Sequence, residues 1–136
     1  MSPEEIRAAA NRLRGLQQQA SLAVDRRDEE WQRALVSLRR EIASGITDLS
    51  AATRKLSPPE EARPEITALD QHVSALRRAL ALHQASWPAV LVDPRQPDFK
   101  ASVAKVRGAY DDLFACLDLL ERKLAMPPGA DAGQRD

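Results

Sequence analysis

Cysteine is all but missing from this chain. Cys116 is the single one among 136 residues. That excludes an internal disulfide framework and any zinc or iron–sulfur site built from several cysteines. Aromatic residues make up only 4% and glycines number five, so sheet-rich and glycine-loop architectures have little material to work with. Charge of one sign is not in excess: 20 Lys and Arg stand against 20 Asp and Glu. A dedicated nucleic-acid binder would carry a basic surplus. No apolar run approaches the ~18 residues needed to cross a bilayer, so no membrane span is expected. What is plentiful is helix-forming, apolar and charged residues in alternation. The apolar fraction of 43% is too high for a disordered chain, and the length suits one domain.

Helical periodicity covers most of the sequence, and β alternation is nearly absent. The C-terminal stretch is the most regular. After Pro97-Asp98, apolar or aromatic residues fall at Phe99, Val103, Val106, Tyr110, Leu113, Leu117, Leu120 and Leu124. Steps of four and three alternate, as in a helix packing at a shallow angle on its neighbours. Asp118 and Arg122 are spaced to pair on its outer face. Gly108 is a weak point that close approach of another helix would explain.

A second stretch runs from Pro58-Pro59-Glu60-Glu61 to Ser86. Its seam is Ala62, Ile66, Leu69, Val73, Leu76, Leu80, His83 and Trp87, with His83 the only polar member. Pro64 fits a first helical turn, and Pro88 ends the helix. The connector from Trp87 to Pro97 contains three prolines, Pro88 among them, and the apolar run Val90-Leu91-Val92. It is expected to fold over the bundle end as a lid on the core.

The N-terminal stretch, from Ser2 to about Leu56, has no proline after Pro3 and two seams. Ile6, Ala9, Leu13, Leu16 and Ala20 form one; Val24, Asp28, Trp31, Leu35, Leu38, Ile42, Gly45, Leu49, Ala52 and Leu56 form the other. They slip by about one residue near positions 20–28, which a continuous helix absorbs as a stutter. No Gly or Pro marks a turn there, so one helix of about 55 residues, roughly 80 Å long, is the expectation. The alternative is a turn capped by Asp28, with Glu29-Glu30 opening a new helix. In the first case the thin, Ala-rich half pairs with another chain; in the second it folds back to complete four helices.

The expected fold is therefore all-α: an antiparallel up-down helical bundle with coiled-coil packing, of three helices with a long first one or of four. Residues 1–126 form the single domain, and 127–136, with two prolines and two glycines, form a disordered tail. The first residues lack the basic-then-apolar pattern of a secretory signal, so a cytoplasmic location is expected.

Chemistry is sparse. His72 and His83 lie eleven residues apart on one helix, roughly 16 Å, and cannot share a metal ion. Neither a Glu-x-x-His pair nor a His-Glu-x-x-His motif occurs. No metal, cofactor or catalytic residue is assigned. His83 reads as a hydrogen-bonded near-core histidine, and Cys116 as a buried, inert thiol. His72 sits one residue off the seam, on a helix flank. In that geometry it resembles the phosphoacceptor of histidine phosphotransfer domains, but the following Ser74-Ala75-Leu76-Arg77 departs from their pattern.

The function expected is a non-enzymatic protein–protein interaction module: an adaptor, assembly factor or export-chaperone-like protein, working on a protein partner or as a homo-oligomer through amphipathic helices. Its binding stripe is placed at Ile6, Leu13 and Leu16, with Trp31 as an aromatic anchor. A phosphotransfer protein using His72 is the alternative. A nucleic-acid-associated helical protein is a further one, resting on the clusters Arg12/Arg14, Arg26-Arg27, Arg39-Arg40 and Arg77-Arg78.

Overall fold

The computed structural model describes residues 3–26, 29–56 and 58–125. Four helices follow one another: α1 (Pro3–Arg26), α2 (Trp31–Lys55), α3 (Arg63–Ser86) and α4 (Pro97–Ala125). Short 3-10 turns at Glu60–Ala62 and Ala89–Leu91 precede α3 and α4. No strand occurs among the described residues. The architecture is an all-α up-down bundle made of two hairpins. α1 packs closely along α2, and α3 along α4, while α1 meets α4 and α2 meets α3 much less extensively.

The N-terminal stretch is two helices, not one rod. The chain turns at Glu29-Glu30, where the phase slip occurs. Magnitudes explain why the turn wins. A rod would leave Ile6, Leu13 and Leu16 in water. In the hairpin they are 1%, 0% and 7% exposed, worth roughly 5–9 kcal/mol together at about 1.5–3 kcal/mol each. Interrupting the helix forfeits about four backbone hydrogen bonds, at about 1 kcal/mol net apiece. The N-cap position of α2 is Glu30, whose own side chain makes no capping hydrogen bond. The first α2 bond runs from the Ala34 amide to the Glu30 carbonyl, 2.8 Å. Burial on both sides of the turn is enough to favour it. The Asp28 cap and the tail at 127–136 lie outside the described residues.

The main core joins all four helices. Ile6, Leu13, Ile46, Leu49, Leu69, Leu76, Leu113, Leu117 and Leu120 are its largest fully buried side chains. All but Ile46, which lies beside the seam at Gly45, are seam positions, so heptad spacing translates into packing. A smaller cluster sits at the end where both hairpins turn: Leu35, Ala89, Val92 and Phe99 are buried there, with Trp31, Trp87 and Val103 packed against them. The connector is a lid in part. Ala89 and Val92 point in, while Val90 and Leu91 are 74% and 59% exposed.

Two local expectations are corrected. Asp118 does not pair with the Arg122 guanidinium through its carboxylate. Arg122 Nε donates to the Asp118 backbone carbonyl at 3.4 Å, and the carboxylate takes Arg14 from α1 at 2.9 Å. Gly108 faces open space, with nothing within 4 Å of where a Cβ would stand. It marks no helix approach.

At the far end, α3 is tied to α4 by Glu65 and Lys123, 2.6 Å apart. Lys123 also donates to the Glu61 carbonyl at 3.1 Å. The hydrogen bond from Lys123 holds the Glu65 carboxyl below its ordinary pKa, outweighing the opposing effect of burial.

The docking of α1 is directly testable. Leu13→Ala should lower the free energy of unfolding by about 2–5 kcal/mol in urea titration. A loss below about 1 kcal/mol would mean that this side chain is not packed inside.

Candidate functional site

The seam between α1 and α4 is closed at one end and open at the other. In the closed half, Arg7 meets Glu121 at 3.9 Å and Arg14 meets Asp118 at 2.9 Å. The Arg14 guanidinium also lies 4.7 Å from the centre of the Phe114 ring. From Gln17 on α1 and Tyr110 on α4 toward the hairpin turns, the two helices instead flank a cleft of about 390 Å³. Its floor is apolar: Leu35 and Ile42 from α2 and Leu80 from α3. Ala20 and Val24 line it from α1, and Val103 and Val106 from α4; all four are half-buried. The volume lies within the usual range of ligand-accepting clefts.

Polar groups in the cleft are few and distinct. Arg39, half-buried on α2, donates from Nη2 to the Trp87 carbonyl at 2.8 Å. Burial pulls its pKa down from the ordinary arginine value. A guanidinium does not lose its proton in proteins, so a charge sits here. No carboxylate among the described residues forms an ion pair with it. His83 on α3 shares a hydrogen bond of 2.6 Å between Nδ1 and Ser102 Oγ of α4. Its ring lies against Phe99, 5.6 Å between centres. Burial first, and the Arg39 charge second, lower the His83 pKa, so the ring is neutral at pH 7. Tyr110 is 3% exposed, and its hydroxyl is buried without a hydrogen-bond partner. Burial pushes its pKa up. On the rim stand Asp25 of α1 and Lys100 and Arg107 of α4, all exposed.

The His83–Ser102 contact has the length of a base–nucleophile pair. Ser102, however, does not line the cleft. Among the described residues no carboxylate holds the other nitrogen of the His83 ring, the third element that such a pair uses to orient its base. The contact staples α3 to α4. Cys116 is a core thiol, 3.6 Å from the Glu65 carbonyl; burial, then the Glu65 charge, raise its pKa. It is not a reactive cysteine.

The residues expected to bind a partner are placed differently from that expectation. Ile6, Leu13 and Leu16 lie in the main core and meet α2 and its neighbours inside the chain. Gly45 shows the register: a Cβ there would touch Leu16 at 3.6 Å and Leu13 at 3.7 Å. In this fold that stripe is internal, so a partner surface has to be sought elsewhere. Trp31 is half-buried in the smaller cluster. His72 is half-buried on α3 and takes no part in the cleft.

Half of the arginines in the basic clusters have contacts within the bundle, and the Arg26-Arg27 cluster lies outside the described side chains. Arg12 pairs with Asp48 at 2.7 Å and Arg14 with Asp118. Arg39 turns inward, and Arg77 reaches Thr47 Oγ1 at 3.5 Å. Among the described residues no three His, Cys, Asp or Glu side chains come together to hold a metal ion. No described helix is long and apolar enough to cross a membrane.

The cleft residues Lys100, Arg107 and Tyr110 were not singled out by the sequence as a site, and Arg39 was read only as part of a basic cluster. The signal was present in one respect: Tyr110 and His83 are polar groups at seam positions. No family model, curated protein or solved structure matches the chain.

The neutral His83 makes stability depend on pH. Above its unfolded pKa of about 6.5 the ring is neutral in both states. Below it, the unfolded chain takes up the proton while the folded chain resists, so stability falls as pH drops through about 6.5 toward the lower folded value. Urea midpoints should fall between about pH 7.5 and about pH 5.5, and His83→Gln should flatten that fall. An undiminished pH dependence in His83→Gln would show that the ring is not the titrating group.

Proposed function

We propose that this chain is a non-enzymatic helical protein–protein interaction module, an adaptor, assembly factor or chaperone, that receives a partner segment in the cleft between α1 and α4. One observation carries the reading. The same seam that is laced by ion pairs along one half is left apolar, uncovered and accessible along the other. A seam built only for stability would be closed throughout, because each exposed core-facing side chain forgoes burial. An apolar groove between helices is the shape that takes an amphipathic helix.

Exposed apolar side chains support the same end of the molecule. Of the six large exposed apolar residues among those described, Leu22, Val36, Leu82, Val90 and Leu91 lie in the halves of the helices, or in the connector, toward the hairpin turns, and Leu119 lies toward the other end. The groups in the cleft also suit holding better than proton transfer. Arg39 stays charged, and burial moves the Tyr110 hydroxyl away from neutral pH.

Site-specific photo-crosslinking in the native host tests this reading. A benzophenone side chain at Ala104, on the cleft rim, should give a discrete protein adduct that Val24→Glu abolishes. The same group at Ala43, exposed on α2 and away from the cleft, should give none. The same adduct from both positions, or none from Ala104, contradicts the proposal.

A further inference from the structure

We infer that the occupant of this cleft is an acidic amphipathic helix of another protein, laid between α1 and α4 with two carboxylates about one heptad apart facing α4. The inference rests on the reading of the cleft as a partner groove and adds the chemistry of the partner.

Charge is the first argument. The chain as a whole is neutral, and in the closed half of the α1–α4 seam Arg7 and Arg14 each have an acid. In the open half the balance fails. Arg39, Lys100 and Arg107 line the cleft against Asp25 alone, with His83 neutral. Among the described residues none of these three cations forms an ion pair. A half-buried guanidinium without a counter-charge is costly, and a carboxylate brought by a partner relieves that cost.

Spacing is the second. Lys100 and Arg107 are one heptad apart, about 10.5 Å along α4, flanking the half-buried seam residues Val103 and Val106. In a coiled coil, charges beside the seam at that interval select a partner helix carrying the opposite charge at the matching interval. The wall from Phe99 to Tyr110 is about 16 Å long, or three helical turns. At its closed end the Tyr110 hydroxyl is buried and unpartnered, a donor in want of an oxygen.

A second copy of this chain is a poor occupant. Its described helices spend their apolar seams on their own core. Each presents only one large exposed apolar residue: Leu22, Val36, Leu82 and Leu119 in turn. None offers the i, i+3, i+4 stripe that a groove requires. A small carboxylated amphiphile would answer one cation and leave the heptad pair unused.

The test uses the full chain and two fluorescent synthetic peptides of about 18 residues, long enough to form a helix. Both carry the same leucine seam; one has Glu and the other Lys at the flanking positions. By fluorescence anisotropy the Glu peptide should bind, more weakly as salt rises, and at least about tenfold more tightly than the Lys peptide. Lys100→Glu combined with Arg107→Glu, both on exposed side chains, should reverse the preference while circular dichroism stays unchanged. Equal binding of both peptides, or a preference that survives the charge reversal, overturns the acidic partner. If that binding is still blocked by Val103→Glu, the groove reading stands without it. No peptide binding, together with no adduct from Ala104, overturns both. Displacement of the peptide by dodecanoate with the same charge dependence would assign the cleft to a small amphiphile. Dimerisation that occludes it, seen by sedimentation, would assign it to a second copy.

Discussion

Everything in this molecule depends on α1 folding back along α2. That contact hides Ile6, Leu13 and Leu16, and it creates one of two helical hairpins instead of a rod with an uncovered arm. It also decides which surfaces the bundle leaves uncovered. Leucines that would have been a sticky stripe on a rod become the inside of a bundle. The apolar surface left open is then where the two hairpins fail to close on each other.

Along the α1–α4 seam they fail to close at one end. Contacts within each hairpin are extensive, and contacts between hairpins are sparse. The α1–α4 seam is held by Arg14, which reaches both the Asp118 carboxylate and the Phe114 ring. Exposed ion pairs of this kind contribute at most about 1 kcal/mol each, so they set register more than they supply stability. Beyond them, α4 presents Val103 and Val106 beside Lys100 and Arg107, across the open cleft from Ala20 and Val24 of α1. The smaller cluster around Phe99, Trp87 and Leu35 braces the turn end and keeps the walls apart, while Arg39 fastens α2 to the end of α3 through the Trp87 carbonyl.

The fold class was legible in the sequence because period is a strong signal. Leu69, Val73, Leu76, Leu113, Leu117 and Leu120 were seam positions and are buried. His83 was read as hydrogen-bonded near the core and is so, through Ser102. The hairpin at residues 27–30 was harder to see. It carries no Gly or Pro, so besides Asp28 as a candidate cap only the phase slip spoke for it. The cleft was not legible. A seam position reads the same whether its neighbour is present or missing, and Val103 looks in sequence like Leu117. Nor does a charge count show that Arg14 finds an acid while Arg107 does not, because pairing is settled between helices distant in the chain.

The fold-back itself is best measured as a distance. Ala8 and Ala51 line the same shallow depression between α1 and α2, although 43 positions separate them in the chain. Spin labels at both, diluted with unlabelled chain so that only distances within one molecule are read, should give a pulsed-dipolar separation below about 25 Å, as for labels on two helices in contact. A single separation near 65 Å, the span of an unbroken helix at about 1.5 Å per residue, would contradict the account.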